Sequence, residues 1–326
     1  MRSIRTITDL DDMHRLASVY AVVSAWAQNG LFAVLEQGPC NLKDLPGDDR
    51  ALGTTARILG HLGLLVGSGD RWGLSLTGLA LFRDGALGMT GVTQRYKDWS
   101  KLGEVLSLGG PVRNDDGTSR VSEGGVREHD KADTRRFMDM LYRRSEHSAP
   151  QTVEWMQPHL SPNAHVLDVG GGHGRYAECL VDAGFQATVF DKSVCIDLAR
   201  QRYGDRLKYV SGDFFVDDFS GEYDGALLSN IVHGLGADEI VSLLKKLHQV
   251  IAPGGLLVIK DMFLDETRVQ PEPAVVFALT MLMYTRQGDS YDRAQFDGFL
   301  KSAGFERIAM IDVTDQRFSL LLARRQ

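Results

Sequence analysis

The sequence predicts an α/β protein, a mostly parallel sheet with helices on both faces, preceded by a helical winged-helix unit. Three observations carry that prediction. A short apolar strand at 166–169 runs straight into four glycines within five residues. Beyond it, short apolar runs alternate with helical patterns as far as Asp261. Ahead of it, helix, turn, helix and hairpin patterns follow one another without such alternation.

The N-terminal unit is expected over 1–95. A helical pattern covers 12–37, where Leu16, Val19, Tyr20, Val23, Trp26 and Leu31 recur at intervals of three to five. Pro39 and the polar stretch 41–50 interrupt it. A second helix is expected over 52–65, then strands at 64–66 and 71–75 around a turn at 67–70. Between residues 40 and 85 there are five Lys and Arg against five Asp and Glu, and the would-be recognition helix carries only Arg57. A helix that reads DNA needs side chains reaching bases and phosphates. This one is built to be buried, so a structural or dimerising role is expected, with no nucleic-acid partner.

Residues 96–155 read as a helical connector that contributes to a substrate pocket. Helices are expected at 96–108 and 135–155, on either side of the polar stretch 113–131. From 156 to 326 the strands fall at 166–169, 187–191, 207–210, 223–229 and 255–261. Helices lie at 175–183, 194–203 and 237–250. This βαβ rhythm gives parallel strands under helical cover. Two last strands, 307–313 and 318–323, joined by a tight turn, add an antiparallel edge.

The sharpest chemical signal is Val166-Leu-Asp-Val-Gly-Gly-Gly-His-Gly174, a buried strand entering a glycine loop and then a helix. Such a loop lets backbone amides approach a ligand closely. Asp191 ends the next strand, where an acid would bond ribose hydroxyls. Three nucleotide readings compete. A phosphate-binding loop needs a closing Gly-Lys-Ser/Thr, which is absent. A dinucleotide fingerprint needs Gly or Ala where Arg175 stands. A nucleoside without phosphate fits, because Asp168 would repel pyrophosphate and can accept bonds from a cationic ligand.

Asp168-Val-Gly-Gly-Gly-His-Gly174 resembles the first motif of class I S-adenosylmethionine methyltransferases. Asp191, Gly212-Asp213-Phe214 and Pro253-Gly-Gly255 follow in that family's order. With the N-terminal unit, the Ser145-Glu-His-Ser148 segment and His233, the chain resembles the caffeate and polyketide O-methyltransferases, whose relatives include 2-oxo-acid C-methyltransferases. The resemblance implies a Rossmann-like domain binding S-adenosylmethionine. Asp168, Gly170 and Gly172 would bind the cofactor, with Asp191 at its ribose; Asp213 and Phe214 would hold the adenine. Ser148, Lys192 and Ser229 complete the implied cofactor set. It also implies His233 as catalytic base and Asp261 as the acid that orients it, a homodimer through the N-terminal unit, and Met281, Tyr284 and Thr285 lining the acceptor pocket.

Three departures bear on the acceptor. Gly234-Leu235 replaces the Asp-Trp that usually follows the histidine, Ser290 stands at a second flanking acid, and Arg144 follows Arg143 where an apolar residue is usual. Arg143 or Arg144 is therefore expected to pair with a carboxylate on the acceptor. A family member without methyl transfer, doing hydroxylation or pericyclic chemistry, and a winged-helix regulator are the competing functions.

Composition bounds the rest. The formal charge of −7 opposes a dedicated nucleic-acid binder, and Cys40, Cys179 and Cys195 are too scattered for a zinc site or disulfide framework. No apolar run approaches the roughly 20 residues needed to span a bilayer. A cytoplasmic enzyme with a small-molecule substrate, no membrane contact and no resident metal is the expectation.

Overall fold

The structure is a computed structural model and describes residues 4, 6–85, 89–118, 131–313 and 318–326. The chain divides into two compact units, Met1–Glu104 and Val105–Gln326. The stretch read from sequence as a connector, 96–155, is shared between them. The middle of its polar run, 119–130, lies outside the described residues, as does the turn expected at 314–317.

In the first unit, helix α1 (Ile7–Gln28) starts at a capping box: the Thr6 hydroxyl accepts from the Asp9 amide and the Asp9 carboxylate accepts from the Thr6 amide. The single helix expected over 12–37 is two. Gly30 takes a left-handed conformation (φ 69°) and starts α2 (Leu31–Glu36) in a new direction. Next come strand β1 (Cys40–Asn41), helix α3 (Asp49–His61), strands β2 (Leu65–Ser68) and β3 (Arg71–Leu74), and helix α4 (Leu76–Arg83). The hairpin gains β1 as a third strand, in the order β1-β3-β2. Helix α3 buries Leu52, Ala56 and Leu59, four or three residues apart, while Arg57 is exposed. These residues join Trp26, Phe32, Leu35, Leu65 and Trp72 in one core. Helices α5 (Gln94–Ser100) and α6 (Leu102–Leu108) follow.

The second unit holds helices α7 (Lys131–Arg144) and α8 (Ser148–Met156), which replace the continuous helix expected over 135–155. Then come β4 (His165–Val169), α9 (Arg175–Asp182), β5 (Gln186–Asp191), α10 (Ser193–Tyr203), β6 (Lys208–Ser211), β7 (Tyr223–Ser229), α11 (Ala237–Val250) and β8 (Ile251–Asp261). The chain ends with α12 (Glu272–Tyr284), α13 (Arg293–Ser302), β9 (Phe305–Val313) and β10 (Phe318–Arg325). The seven-stranded sheet has the order β6-β5-β4-β7-β8-β10-β9. Strands β4 to β8 pair in parallel, and β10 inserts antiparallel between β8 and β9, which is the edge. Pro253-Gly-Gly255 is a kink inside β8: Gly254 is left-handed (φ 71°) and the β7–β8 register shifts there.

Both sheet faces are covered, so the inner strands read as continuous apolar runs such as Leu256-Leu-Val-Ile259, each residue of which is 0% exposed. One core packs α11 and α13 on the sheet through Leu244, Leu247 and Phe296, and the other packs α8 and α9 through Val153, Tyr176 and Leu180. Strand order reverses between β4 and its neighbours β5 and β7. Loops leaving the C-terminal ends of these strands diverge there and open a crevice, which is where open α/β sheets bind ligands.

Candidate active site

Strand β4 ends in Asp168 and Val169, and the glycine loop turns at that crevice. Gly170, Gly172 and Gly174 all have positive φ (67°, 47° and 76°). A Cβ on Gly170 would stand 2.4 Å from Ile231 Cδ1, and one on Gly172 2.9 Å from Met138 Sδ. Those side-chain ends could give way, so it is the left-handed backbone at all three positions that favours glycine here. The loop is anchored on strand β5: Gly170 N donates to Phe190 O at 2.7 Å, and Gly172 N to Asp191 Oδ2 at 2.8 Å.

Asp168 is 0% exposed, and neither carboxylate oxygen makes a well-formed hydrogen bond. Burial, and secondly the Asp191 charge, push its pKa up to about 7; the Ala177 amide offers partial relief. A buried acid left this way is uncommon in folded proteins and calls for an explanation. Asp191 also titrates above the ordinary carboxylate range, chiefly through burial, although the amides of Lys192 and Gly172 bond to it. Its neighbour Lys192 places Nζ 3.5 Å from Asp213 Oδ2, which ties the ends of β5 and β6 together. The Asp213 carboxylate also caps the turn by accepting from Phe215 N, and Phe214 is half-buried against the core. Asp168, Gly170, Gly172, Asp191, Lys192 and Asp213 thus follow one continuous edge, from β4 across β5 to β6.

Ser229 ends β7, and Asn230 after it is left-handed (φ 58°), its amide donating to Lys260 O. That turn delivers His233, on the short helical turn Val232–Gly234, toward the end of β8. His233 Nδ1 lies 2.8 Å from Asp261 Oδ1, and His233 N donates to Asp261 Oδ2 at 3.3 Å. Asp261 also accepts from Met262 N, so its acceptor sites are largely filled. With Nδ1–H donating to the carboxylate, Nε2 is left as the basic nitrogen. The ring packs edge-on against Phe277 of α12, centroids 4.8 Å apart. Sequence reading missed Phe277, whose signal was hidden in an evenly apolar helix.

Among the other expected residues, Ser148 opens α8, and its hydroxyl lies 3.0 Å from Tyr176 Oη. Met281 is buried, Tyr284 is half-buried, and the Thr285 hydroxyl is spent on Met281 O while accepting from Gly288 N. Arg143 and Arg144 end α7 with exposed side chains. Ser290 is buried and donates to Ala274 O, so it braces α12. His173, inside the glycine loop, is a second unforeseen feature: burial, then Arg202, Arg175 and Lys260, drive its pKa down to about 3.

The O-methyltransferase domain family matches residues 99–306, more than half of the chain. Acetylserotonin O-methyltransferase of Gallus gallus is 28% identical over 172 residues, 51% of this chain and 49% of that protein. The tetracenomycin polyketide synthesis 8-O-methyl transferase TcmO of Streptomyces glaucescens is 26% identical over 223 residues, 65% of this chain and 62% of that one. The chain thus matches between about half and three fifths of these curated relatives. Human N-acetylserotonin methyltransferase, solved in complex with SAM, superposes with a TM-score of 0.76 at 21% identity, covering 100% of this chain and 99% of that one.

Proposed function

Because this chain belongs to the O-methyltransferase domain family, we propose that it transfers a methyl group from S-adenosylmethionine to a small organic acceptor, with His233 as the base. One observation carries the reading: a His233–Asp261 pair stands at the same sheet edge as a glycine loop flanked by the buried Asp168 and the half-buried Asp191. The residues present fit the cofactor. Asp168 offers an unpaired carboxylate to its cationic amino-acid end, and Asp191 an acceptor for ribose hydroxyls. Ser229, Ser148, Lys192, Asp213 and Phe214 continue the seat.

When bound, the cofactor supplies an electrophilic methyl on a sulfonium. His233 Nε2 would take the proton of the acceptor hydroxyl as that oxygen attacks the methyl group the cofactor would supply. Asp261 holds the ring in that tautomer and stabilises the imidazolium. Phe277, Met281 and Tyr284 form an apolar wall that orients the acceptor, and orientation of this kind is worth up to about 7–11 kcal/mol. The same base would serve enolate formation from a 2-oxo acid, which makes carbon methylation the second product to look for. Incubating the protein with methyl-labelled S-adenosylmethionine and a panel of phenols, hydroxybenzoates and 2-oxo acids tests the reading. Label on an acceptor oxygen supports it, and cofactor that binds without ever transferring label overturns it.

Arg143 or Arg144 pairs with an acceptor carboxylate in this reading, which is supported by their exposed positions at the end of α7. Arg144→Met is expected to raise KM about 10-fold for an acidic acceptor and to leave a neutral one unchanged; equal KM values for both end that assignment. The chain pairs with a second copy through its N-terminal unit, where α1 exposes Ile7, Leu10, Met13 and Leu16. Sedimentation equilibrium should give twice the chain mass, and a monomer at micromolar concentration refutes it.

A further inference from the structure

We infer that Lys260 binds the carboxylate of the cofactor's amino-acid end, together with Tyr176 and Ser148; this rests on the cofactor reading above. Lys260 is the penultimate residue of β8 and is only 5% exposed. Successive strand residues point to opposite faces, so Lys260 faces α9 while Asp261 turns to His233. Its Nζ donates to Asn230 Oδ1 at 2.9 Å and lies 4.5 Å from the Phe318 ring centroid and 6.0 Å from that of Tyr176. Among the described residues no carboxylate comes within 4.0 Å of Nζ. The adjacent Asp261 is committed to His233 and Met262. Burial pushes the lysine down to about 8, and the charge of the neighbouring Asp261 offsets this only in part.

The polar groups on this side of the sheet are rich in donors. Tyr176 Oη and Ser148 Oγ share one hydrogen bond, leaving one hydroxyl proton to give. His173 is held neutral, and its Nδ1 accepts from Arg175 N, so its proton sits on Nε2. Such donors around a buried cation select an anionic group.

Asp168 is the mirror case, a buried acid that makes no ion pair among the described residues. Tyr176 borders both: its hydroxyl is raised chiefly by burial and to a lesser degree by the Asp168 charge, and its ring centroid lies 6.0 Å from Lys260 Nζ. Isolated buried charges are costly unless something completes them. An α-amino-acid head, with its ammonium toward Asp168 and its carboxylate toward Lys260, completes both at once.

Isothermal titration of the full chain with two probes tests this. S-adenosylhomocysteine carries the amino-acid head, and 5′-methylthioadenosine lacks it. Lys260→Met is expected to weaken S-adenosylhomocysteine by at least about 10-fold and methylthioadenosine by less than about 2-fold, whereas Lys260→Arg stays close to the parent. Tyr176→Phe, which keeps the ring, should give a smaller loss of the same selectivity, about 3-fold, and serves if Lys260→Met does not fold. Equal losses for both probes, or none for either, would mean that Lys260 only braces Asn230, and the inference falls. A parent protein that binds neither probe overturns the cofactor reading instead.

Discussion

Asp168→Asn is expected to abolish cofactor binding and at the same time to make the ligand-free protein more stable. The two effects share a cause. With both carboxylate oxygens buried and poorly bonded, the fold disfavours the charged form, and the group titrates at about 7 rather than near 4. The sign follows from proton counts. Between about pH 4 and pH 7 the folded state binds the proton and the unfolded chain does not. This group's stabilising contribution is therefore full below the unfolded carboxylate range and is lost as the pH rises through about 7. The distance between those two titration points caps the loss at about 4 kcal/mol. An amide carries no charge but brings donors that also need partners, so we expect a gain of about 1–2 kcal/mol at pH 8, read as a Tm about 2–6 °C higher.

A cationic ligand reverses the preference of this acid. S-adenosylmethionine should bind the parent protein with a Kd that rises up to about tenfold for each pH step of one below about 7, because a proton must leave Asp168 first. Asp168→Asn should lose at least about 100-fold in affinity and that pH limb with it. Calorimetry and thermal melts at pH 6 and 8 check both halves. A variant that binds normally, or melts lower at pH 8, removes Asp168 from the cofactor seat.

The second large effect is at His233. His233→Ala should lower kcat by about 10²- to 10⁴-fold on any acceptor that the parent methylates, the usual worth of a positioned base. Affinity for S-adenosylhomocysteine should stay within about 2-fold, because the histidine bonds to Asp261 rather than to the glycine loop or its acids. Asp261→Asn, which keeps the shape but loses the charge that stabilises the imidazolium, should give an intermediate loss with a matching change in the pH–rate profile. Full activity in His233→Ala would transfer the whole burden to orientation and to the electrophile.

Much of the cofactor half of the site was legible in the residues. The glycine loop, Asp168 and Asp191 are local features: a strand end, a turn that only glycine tolerates, and the end of the next strand. Their spacing along the chain fixes their neighbourhood once the strands are parallel. Helix ends were less legible. The break at Gly30 and the interruption between Arg144 and Ser148 fall inside patterns that read as continuous, because a left-handed residue or a short turn barely disturbs apolar periodicity.

The acceptor side was largely illegible. Phe277 stacks on His233 from a helix whose residues are apolar all round, so no periodicity singled it out. Lys260 lies in an apolar strand, where it reads as an exception with no stated purpose. His173 looks like a spacer among glycines. All three take their chemistry from groups remote in sequence: His233 for Phe277, Asn230 and Phe318 for Lys260, and burial with Arg202 and Lys260 for His173.

By itself, then, the sequence determined the α/β class, the order of the strands along the chain, the glycine loop and its two acids, because each depends on the conformational limits of a few neighbouring residues. Only the tertiary structure decided that β10 lies inside β9, that Phe277 meets the His233 ring, and that Asp168 and Lys260 are buried with no ion-pair partner within 4.0 Å among the described residues. Those outcomes depend on which surfaces exclude water together. Desolvation, which sets the pKa of Asp168 and the isolation of Lys260, is a property of the packed molecule and has no signature in any single stretch of chain.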